Sequence, residues 1–177
     1  MRSPGLCAAV AVLPGRHKIA KVSLIIRTAG PNDLPQVRTV YRRSSLSNEG
    51  DRDGLLQHPE YLVLPDEGLM EGRTRVAELS NRGIVGFATI ERQSNTAELV
   101  DLFVDPESMR QGVARALVND AVATLANDGI IALEVTGNLH ALAFYTAMGF
   151  EVVDRVTTPL GGGVRMRLRC GAEDKES

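Results

Sequence analysis

The run MRQGVARAL at residues 109–117 is the segment whose residue types most clearly suggest chemistry. It follows a strand-like stretch and begins a helix-like one, so free backbone N–H groups and the helix dipole would meet at one spot. Gly112 and Ala114 are small enough for phosphate oxygens to reach the backbone, and Arg110 and Arg115 could supply charge-assisted contacts. The run is neither a Walker A loop nor a GxGxxG fingerprint. It predicts a phosphate site, although the same residues also fit an ordinary tight helix entry.

A second candidate is the tyrosine within NLHALAFYTAMGF, residues 138–150. Asn138 is a natural N-cap, and Gly149 is a natural stop for a helix that would run through the preceding residue. Tyr145 lies seven residues after Asn138, about two turns along the same helix face. A tyrosine in this position can be a half-buried packing residue, or its phenol can act as a proton donor. The residues alone leave both interpretations open.

An alternation of strands and helices would position these candidates. Runs of β-branched residues predict strands, apolar residues at helical spacing predict helices, and Asn, Asp, Gly and Pro mark the turns. The predicted strands are 23–28, 74–80, 84–91, 97–104, 130–136 and a terminal hairpin around a loop at 161–163; the predicted helices are 33–45, a short one near 54–61, 111–127 and 138–148. The three strands between 74 and 104 should be antiparallel. This order predicts one α/β domain on a mixed sheet.

In this order and spacing, the segments resemble the GNAT superfamily of N-acetyltransferases. The turn is similar to the family motif R/Q-x-x-G-x-G/A, except that Met109 stands where the family prefers Arg or Gln. The string AELVDLFVDPESM, residues 97–109, resembles the fourth strand of the family and the link that follows it. Residues 138–150 are similar to the element N-x-x-A-x-x-x-Y-x-x-x-G-F. The matching positions are Asn138, Ala141, Tyr145, Gly149 and Phe150.

The resemblance implies a fold, an activity and a cofactor. The fold would be a mixed, mostly antiparallel sheet of six or seven strands with helices on both faces. The activity would be transfer of an acetyl group from acetyl-CoA to a primary amine, by direct attack on the thioester and without a metal. Backbone groups of the turn would hold the pyrophosphate, and the fourth strand would pair with pantetheine. The coenzyme-binding residues would be Leu102, Phe103, Val104, Arg110, Gln111, Gly112, Val113, Ala114, Arg115, Asn138 and Tyr145.

The resemblance also suggests catalytic roles. Tyr145 would protonate the departing thiolate, and a backbone N–H of Leu102 or Phe103 would stabilise the oxyanion. In the histone-modifying branch, the base is a glutamate fourteen positions before the first motif glycine, which is Glu98 here. Asp101 is the rival, and because 98 and 101 differ by an odd number, their side chains should point to opposite faces unless a bulge intervenes. A water chain as base and two merely solvated strand charges are the remaining interpretations.

Other ionisable residues carry less information. Glu78 and Glu91, on strands predicted to be adjacent, are weaker candidates for the base. His58 and His140 are lone histidines, and we expect no catalytic role for them.

The stretch 45–72 bears on the acceptor, because it contains seven acidic residues and one arginine. Beside the cleft, this excess of negative charge would attract a cationic amine, such as a polyamine, an aminoglycoside, a lysine side chain or a protein N-terminus. The same residues also fit an interpretation as solvated loops. The alternative function is a non-catalytic acyl-CoA-binding regulatory domain, which needs the phosphate turn but neither acid nor base.

Composition limits the partners. The 177-residue chain has a net charge of −2, which gives no general attraction to nucleic acid or to an anionic membrane. No apolar run approaches the roughly 20 residues of a membrane-spanning helix. Cys7 and Cys170 lack metal-site spacing, and reduced thiols in a cytoplasmic protein are the simplest interpretation. The expected partners are acetyl-CoA and an amine acceptor; a homodimer is compatible with the sequence, but no segment identifies an interface.

The chain divides into three regions. Residues 1–22 are basic, contain no acid and carry a short apolar run, and we expect a disordered extension. A secretory signal and a start codon assigned too far upstream are the alternatives. Residues 23–170 would form the acyltransferase domain, and 171–177 would be a C-terminal tail.

Overall fold

One sheet organises the part of the chain that the structure describes. The structure is a computed structural model, and it describes residues 22–158 and 161–171. Its strands are β1 Leu24–Thr28, β2 Thr74–Leu79, β3 Gly83–Gln93, β4 Thr96–Val104, β5 Ala132–Asn138, β6 Glu151–Thr158 and β7 Gly161–Arg169. They lie in the order β1-β2-β3-β4-β5-β7-β6, and every neighbouring pair is antiparallel except β4 and β5. The mixed, mostly antiparallel sheet of the prediction is confirmed.

Helices cover both faces of this sheet, as predicted. They are α1 Leu34–Ser45, α2 Glu49–Gln57, α3 Glu67–Met70, α4 Val113–Asn127 and α5 Leu142–Ala147, with single 3₁₀ turns at Pro31–Asp33, Pro59–Leu62 and Pro106–Ser108. One apolar layer packs α4 and α5 against the sheet, and a smaller layer packs α1 against the opposite face. The prediction of helices on both faces is therefore correct.

Three local predictions are wrong in detail. Asn138 is not the residue before the helix, because it is the last residue of β5 and pairs with Gly163 of β7; Ala141 precedes α5, and its N–H donates to the Asn138 side chain. The glycines at 161–163 belong to β7, since they pair with the end of β6, and residues 159–160 between these strands lie outside the described part. The short helix expected near 54–61 begins earlier, at Glu49, after an Asn48 side chain that accepts a hydrogen bond from the backbone N–H of Gly50.

The predictions for the chain ends fall almost entirely on residues that the structure does not describe. Val22 is the one described residue of the proposed extension 1–22, and Gly171 is the one described residue of the proposed tail.

β4 and β5 separate halfway along their length. They pair only between Thr96–Ala132 and Leu99–Val135, after which β5 remains paired with β7 as far as Asn138. The carboxyl half of β4 therefore has no strand neighbour on its β5 side within the described residues. A wedge opens between the two strands.

A bulge in β4 changes which side chains share a face. Thr89 of β3 pairs with Asp101, and its neighbour Ile90 pairs with Leu99, which leaves Val100 as an extra residue. Leu99 and Leu102 consequently both face the layer of α4, although three positions separate them. Glu98 and Asp101, the residues before each of these leucines, both point to the face of α1. The expected placement on opposite faces fails because the bulge resets the alternation.

Candidate active site

The wedge between β4 and β5 opens into a cleft of about 1080 Å³. One wall comes from β4 and the turn before α4, the second from the end of β5 and from α5, and the third from α1 and the segment after it. The sequence-predicted residues that line the cleft are Leu102, Phe103, Val104, Arg110, Ala114, Asn138 and Tyr145. Two segments that lie far apart in the chain are thus brought to one cavity.

The turn before α4 presents free N–H groups. Gly112 precedes the helix in a left-handed conformation, with φ 83° and ψ 4°, and a side chain built there would meet no atom within 4 Å. The N–H groups of Val113, Ala114 and Arg115 belong to the first helical turn and find no backbone acceptor within the described residues. These donors lie at the positive end of a helix of 15 residues, which is a suitable site for an anion.

Ion pairs fix the link between β4 and this turn. Asp105 accepts a hydrogen bond from the backbone N–H of Glu107 at 3.0 Å, and Arg43 of α1 pairs with Asp105 at 3.1 Å. Glu107 pairs with Arg43 at 2.9 Å and also with Arg82. The Gln111 side chain donates to the Glu107 carbonyl oxygen at 3.0 Å, which holds it against this link.

The backbone of β4 alternates between β3 and the wedge. Asp105 donates a hydrogen bond to the Val85 carbonyl at 2.8 Å, and the antiparallel register continues from there through Phe103 opposite Phe87. Because hydrogen-bonded and non-hydrogen-bonded pairs alternate in such a ladder, Phe103 bonds to β3 whereas Leu102 and Val104 point their N–H and C=O groups into the wedge. Of the two N–H groups predicted for an oxyanion, that of Leu102 is the one directed toward the cleft.

Tyr145 is buried but reaches the cleft. Its side chain is only 6% exposed, and its ring packs edge-on against Phe144 and Phe150. Burial raises the pKa of the phenol to about 12. Tyr145 nevertheless lines the cleft.

Gly137 of β5 lies against the ring of Tyr145, and the sequence analysis missed its role. A Cβ atom at this position would lie 3.2 Å from Cε2 of Tyr145, so any larger residue would require the ring to shift by a few tenths of an ångström. The signal in the sequence is a glycine inside a predicted strand, which often marks the close approach of another group. Asn138, the next residue, accepts a hydrogen bond from the Ala141 N–H at 3.0 Å through its side chain and so shapes the turn into α5.

Asp101 lies in a second, smaller cavity of about 360 Å³ on the α1 face. Burial raises the pKa of its carboxyl, against the opposing effect of a hydrogen bond from Thr89. Thr89 is itself 3.0 Å from the hydroxyl of buried Thr74. Tyr41, which lines the main cleft, has a raised pKa; burial is the main cause, and the negative charge of Asp101 is a further one. The Asp101 side chain is thus held in place beside the cleft rather than in its wall.

Glu98 stands in a row of carboxylates across the sheet. It lies in register with Glu91 of β3 and Glu134 of β5, and all three point to the face of α1. Glu134 pairs with Arg165 and Arg167 of β7, and Arg165 interacts electrostatically with Glu98 as well. Neither Glu98 nor Asp101 lines the main cleft.

The third wall of the cleft was not predicted residue by residue. Tyr41 of α1 donates a hydrogen bond to the Tyr61 carbonyl oxygen at 2.6 Å and packs edge-on against Phe103, with ring centroids 4.8 Å apart. Among the described acidic side chains of 45–72, only Glu60 lines the cleft, and it pairs with His58 at 3.1 Å. Most of the acidic excess therefore points elsewhere. His140 lines the cleft from the opposite wall.

These features fit coenzyme A. Free N–H groups at a helix start and the adjacent guanidinium of Arg110 suit a pyrophosphate, and the unpaired backbone groups of Leu102 and Val104 suit the amides of pantetheine. Met109 lines the cleft with an apolar side chain, so this chain offers no side-chain polar contact at that position. Within the described residues, no group of His, Cys, Asp and Glu could hold a metal ion, and no helix is long and apolar enough to cross a membrane.

Comparisons with known proteins agree with this geometry. Residues 36–150, more than half of the chain, match the family model described as Acetyltransferase (GNAT) family. One similar solved structure is PaiA N-acetyltransferase from Thermoplasma acidophilum in complex with coenzyme A. Its sequence is 20% identical, the match covers 83% of this chain and 99% of that chain, and the TM-score is 0.66. The ribosomal-protein-S18-alanine N-acetyltransferase from Escherichia coli has 20% identity, coverage of 88% and 99%, and a TM-score of 0.63. Ard1 from Thermoplasma volcanium has 18% identity, coverage of 82% and 97%, and a TM-score of 0.63.

A search of curated protein sequences finds no match. At 18–20% identity the structural likeness establishes the fold alone. Membership rests on the family model, which spans β4, α4, β5 and α5 together. The chain belongs to the GNAT acetyltransferase family.

Proposed function

We propose that this protein is an N-acetyltransferase that transfers an acetyl group from acetyl-CoA to a primary amine. The observation that carries the proposal is one cleft lined together by Arg110 and Ala114 of the turn and first residues of α4, by Leu102 and Val104 of β4, and by Tyr145. A phosphate site alone would suit many ligands. The combination with a wedge in the sheet suits a long ligand that carries a phosphate group at one end and a reactive group at the other.

The binding residues follow from this arrangement. The N–H groups of Gly112, Val113 and Ala114, with their neighbours Gln111 and Arg115, would hold the pyrophosphate, and Arg110 would add a guanidinium contact. Leu102 and Val104 would pair with the pantetheine amides, and the Phe103 side chain would form part of the wall. Asn138 would shape the opposite side. When bound, acetyl-CoA supplies a thioester carbonyl to which an amine can add and a thiolate that can leave.

Tyr145 and Leu102 would act on that thioester. The pKa of the Tyr145 phenol, which burial raises to about 12, lies far above neutral pH, so the phenol is protonated and can donate a proton to the departing sulfur. The Leu102 N–H, directed into the wedge, would donate a hydrogen bond to the carbonyl oxygen as negative charge develops there.

The base is proposed to be Glu98, on the α1 face of β4. It would take the proton that an alkylammonium must lose before it can attack, directly or through water. Asp101 is the second candidate, and two observations favour it. Burial raises the pKa of its carboxyl toward the range in which a base is effective, and it interacts with Tyr41 in the wall of the cleft. The two carboxylates lie on the same face of β4, and Asp101 alone of the two lines the smaller cavity beside the cleft.

One experiment tests the proposed function. The full chain is incubated with acetyl-CoA and a panel of primary amines, and free thiol and acetylated product are measured. Binding is measured separately by thermal shift, where acetyl-CoA at a hundred times its dissociation constant should add about 2.7 kcal/mol to the free energy of unfolding. We expect both a shift and thiol release that depends on the amine.

A non-catalytic acyl-CoA-binding domain is the second candidate function. It is favoured by one observation, namely that neither carboxylate of β4 lines the cleft. It predicts the same thermal shift but no release of thiol with any amine. Absence of both would remove coenzyme A from the proposal altogether.

A further inference from the structure

We propose that the acceptor is a primary amine on an apolar, uncharged body, and that amines with a neighbouring carboxylate are disfavoured. This inference rests on the proposed function and narrows its substrate class. It concerns the third wall of the cleft, formed by the end of α1 and the segment through residue 63. We refer to this wall as the acceptor wall; its lining residues are Tyr41, Ser44, Ser45, Ser47, Asn48, Leu55, Glu60, Tyr61 and Val63.

Apolar surface dominates the lining of the cleft as a whole, and four of the nine residues of the acceptor wall are apolar or aromatic. Tyr61 and Val63 both line the cleft, and they are 42% and 64% exposed. Leu55 is a buried residue of the same wall, and the Tyr41 ring packs edge-on against Phe103. Exposed apolar side chains grouped in a concave site are a surface that an apolar ligand can cover with a gain in free energy.

The hydroxyl groups of the wall are neutral. Ser44, Ser45 and Ser47 line the cleft at the end of α1, and the Ser47 hydroxyl already donates to the Ser44 carbonyl at 2.7 Å. Such groups can accept a hydrogen bond from an ammonium or an amine without adding charge. The serine hydroxyls would hydrogen-bond the amino group of the acceptor, and the apolar residues would contact the rest of the acceptor.

Few charged side chains line the cleft. The only carboxylate among the described lining residues is Glu60, and the only guanidinium is Arg110, which belongs to the phosphate turn; no lysine lines the cleft. An acceptor carboxylate would therefore meet no lysine or arginine on the acceptor wall. Glu60 remains ionised at neutral pH, since hydrogen bonds from its own backbone and from His58 lower its pKa. It would repel a second carboxylate and attract the ammonium.

The test compares three acceptors with the full chain and acetyl-CoA, using thiol release as the readout. Phenethylamine has the proposed chemistry, phenylalanine adds a carboxylate to the same skeleton, and spermidine carries cationic charge without an apolar body. Rates are normalised to the free-base fraction of each amine. We expect kcat/KM for phenethylamine to exceed that for either of the others by about tenfold or more, as is usual when a site leaves a charged group without a partner.

A matched pair of variants isolates Glu60. Glu60→Gln should raise kcat/KM for phenylalanine by roughly two- to fivefold, the size expected of an exposed charge. Asp53→Asn removes the same charge from α2 at an exposed position outside the cleft and should leave the ratio of the two substrates unchanged. If the ratio of kcat/KM for phenylalanine to that for phenethylamine rises equally in both variants, general charge sets the preference and the acceptor wall does not.

The outcomes separate this inference from the function on which it rests. A higher kcat/KM for phenylalanine or for spermidine than for phenethylamine overturns the inference. Acetylation of a peptide amine without acetylation of phenethylamine overturns it as well. In each case the release of thiol still supports an acetyltransferase. Binding of acetyl-CoA without thiol release from any amine overturns the proposed function, and the acceptor inference with it.

Discussion

The two halves of the cleft are built in different ways. The coenzyme half comes from two strand–turn–helix segments, β4 to α4 and β5 to α5, and buried Val113 and Tyr145 tie it to the large core layer. The acceptor half comes from the end of α1 and residues 46–63, where Leu55 and Leu62 are the buried apolar residues among the described side chains. Tyr41 of α1 donates a hydrogen bond to the Tyr61 carbonyl oxygen at 2.6 Å and so joins the two ends of this half.

This difference indicates which half can change without cost to the fold. Residues of the coenzyme half pack on the sheet, so substitutions there disturb the core as well as the ligand. The acceptor half makes few buried contacts and consists of short helices, features of regions that open easily and vary in sequence. A protein of this construction can keep its cofactor and alter its acceptor. The predictions below test that division, beginning with the largest expected effect.

Tyr145→Phe should have the largest effect on turnover. The substitution keeps the ring against Phe144, Phe150 and Gly137 but removes the hydroxyl, and loss of a general acid typically costs about 10²–10⁴-fold in rate. The measurement is kcat with saturating acetyl-CoA and amine. Thermal shift by acetyl-CoA serves as the control and should remain near that of the unaltered chain. An unchanged kcat would make Tyr145 a packing residue only.

The base is tested by a pair of variants on β4. Glu98→Gln should lower kcat at neutral pH by about 10²-fold and recover partly at high pH, where free amine is abundant. Asp101→Asn should leave kcat nearly unaltered if Glu98 is the base. The reverse pattern would assign the role to Asp101. In that event the acidic limb of kcat/KM should lie above the ordinary pKa of 3.8, because burial raises the pKa of this carboxyl.

Asp101 also makes a prediction about stability. Its folded pKa lies above the unfolded value, so the folded protein binds this proton more tightly than the unfolded chain does. The resulting stabilisation is complete below the unfolded pKa and is lost as pH rises through the folded pKa. Chemical denaturation from pH 4 to pH 7 should therefore show a smaller loss of stability for Asp101→Asn than for the unaltered chain. Parallel curves for the two proteins would contradict the buried environment of this carboxyl.

Gly112→Asp should weaken acetyl-CoA binding by about tenfold or more, because it places a carboxylate beside the phosphate groups. Gly129→Asp is a matched control at the other end of α4. Both glycines have positive φ, 83° and 76°, and neither has an atom within 4 Å of the added side-chain carbon. The backbone strain of the two variants should be similar. Calorimetric titration that shows equal affinity for both would place the phosphates elsewhere.

Tyr41→Phe should have the smallest effect and should confine it to the acceptor half. Loss of one hydrogen bond to the Tyr61 carbonyl should lower the free energy of unfolding by about 0.5–1.5 kcal/mol. The loosened segment should raise KM for the amine by roughly two- to fivefold, while acetyl-CoA affinity stays constant. A change in acetyl-CoA affinity of similar size would show that the two halves are not independent.

Much of the coenzyme half could be predicted from the sequence. The strand β4, the turn with Gly112 and the helix α4, which stops two residues before Gly129, are contiguous, and local conformational preferences specify them. The prediction failed where pairing partners decide the outcome. Asn138 continues β5 because β7 lies beside it, and the glycines at 161–163 are strand residues because β6 pairs with them.

The sequence by itself determined the periodic elements, their order and the small residues at the phosphate turn, since these depend on neighbours within a few positions. Only the tertiary structure decided that the bulge at Val100 turns Glu98 and Asp101 to one face and directs the Leu102 N–H into the wedge. It also decided that Glu60, alone among the described acidic side chains of its segment, lines the cleft. These outcomes depend on strand register and on contacts between distant residues, and a linear pattern of residue types does not specify either.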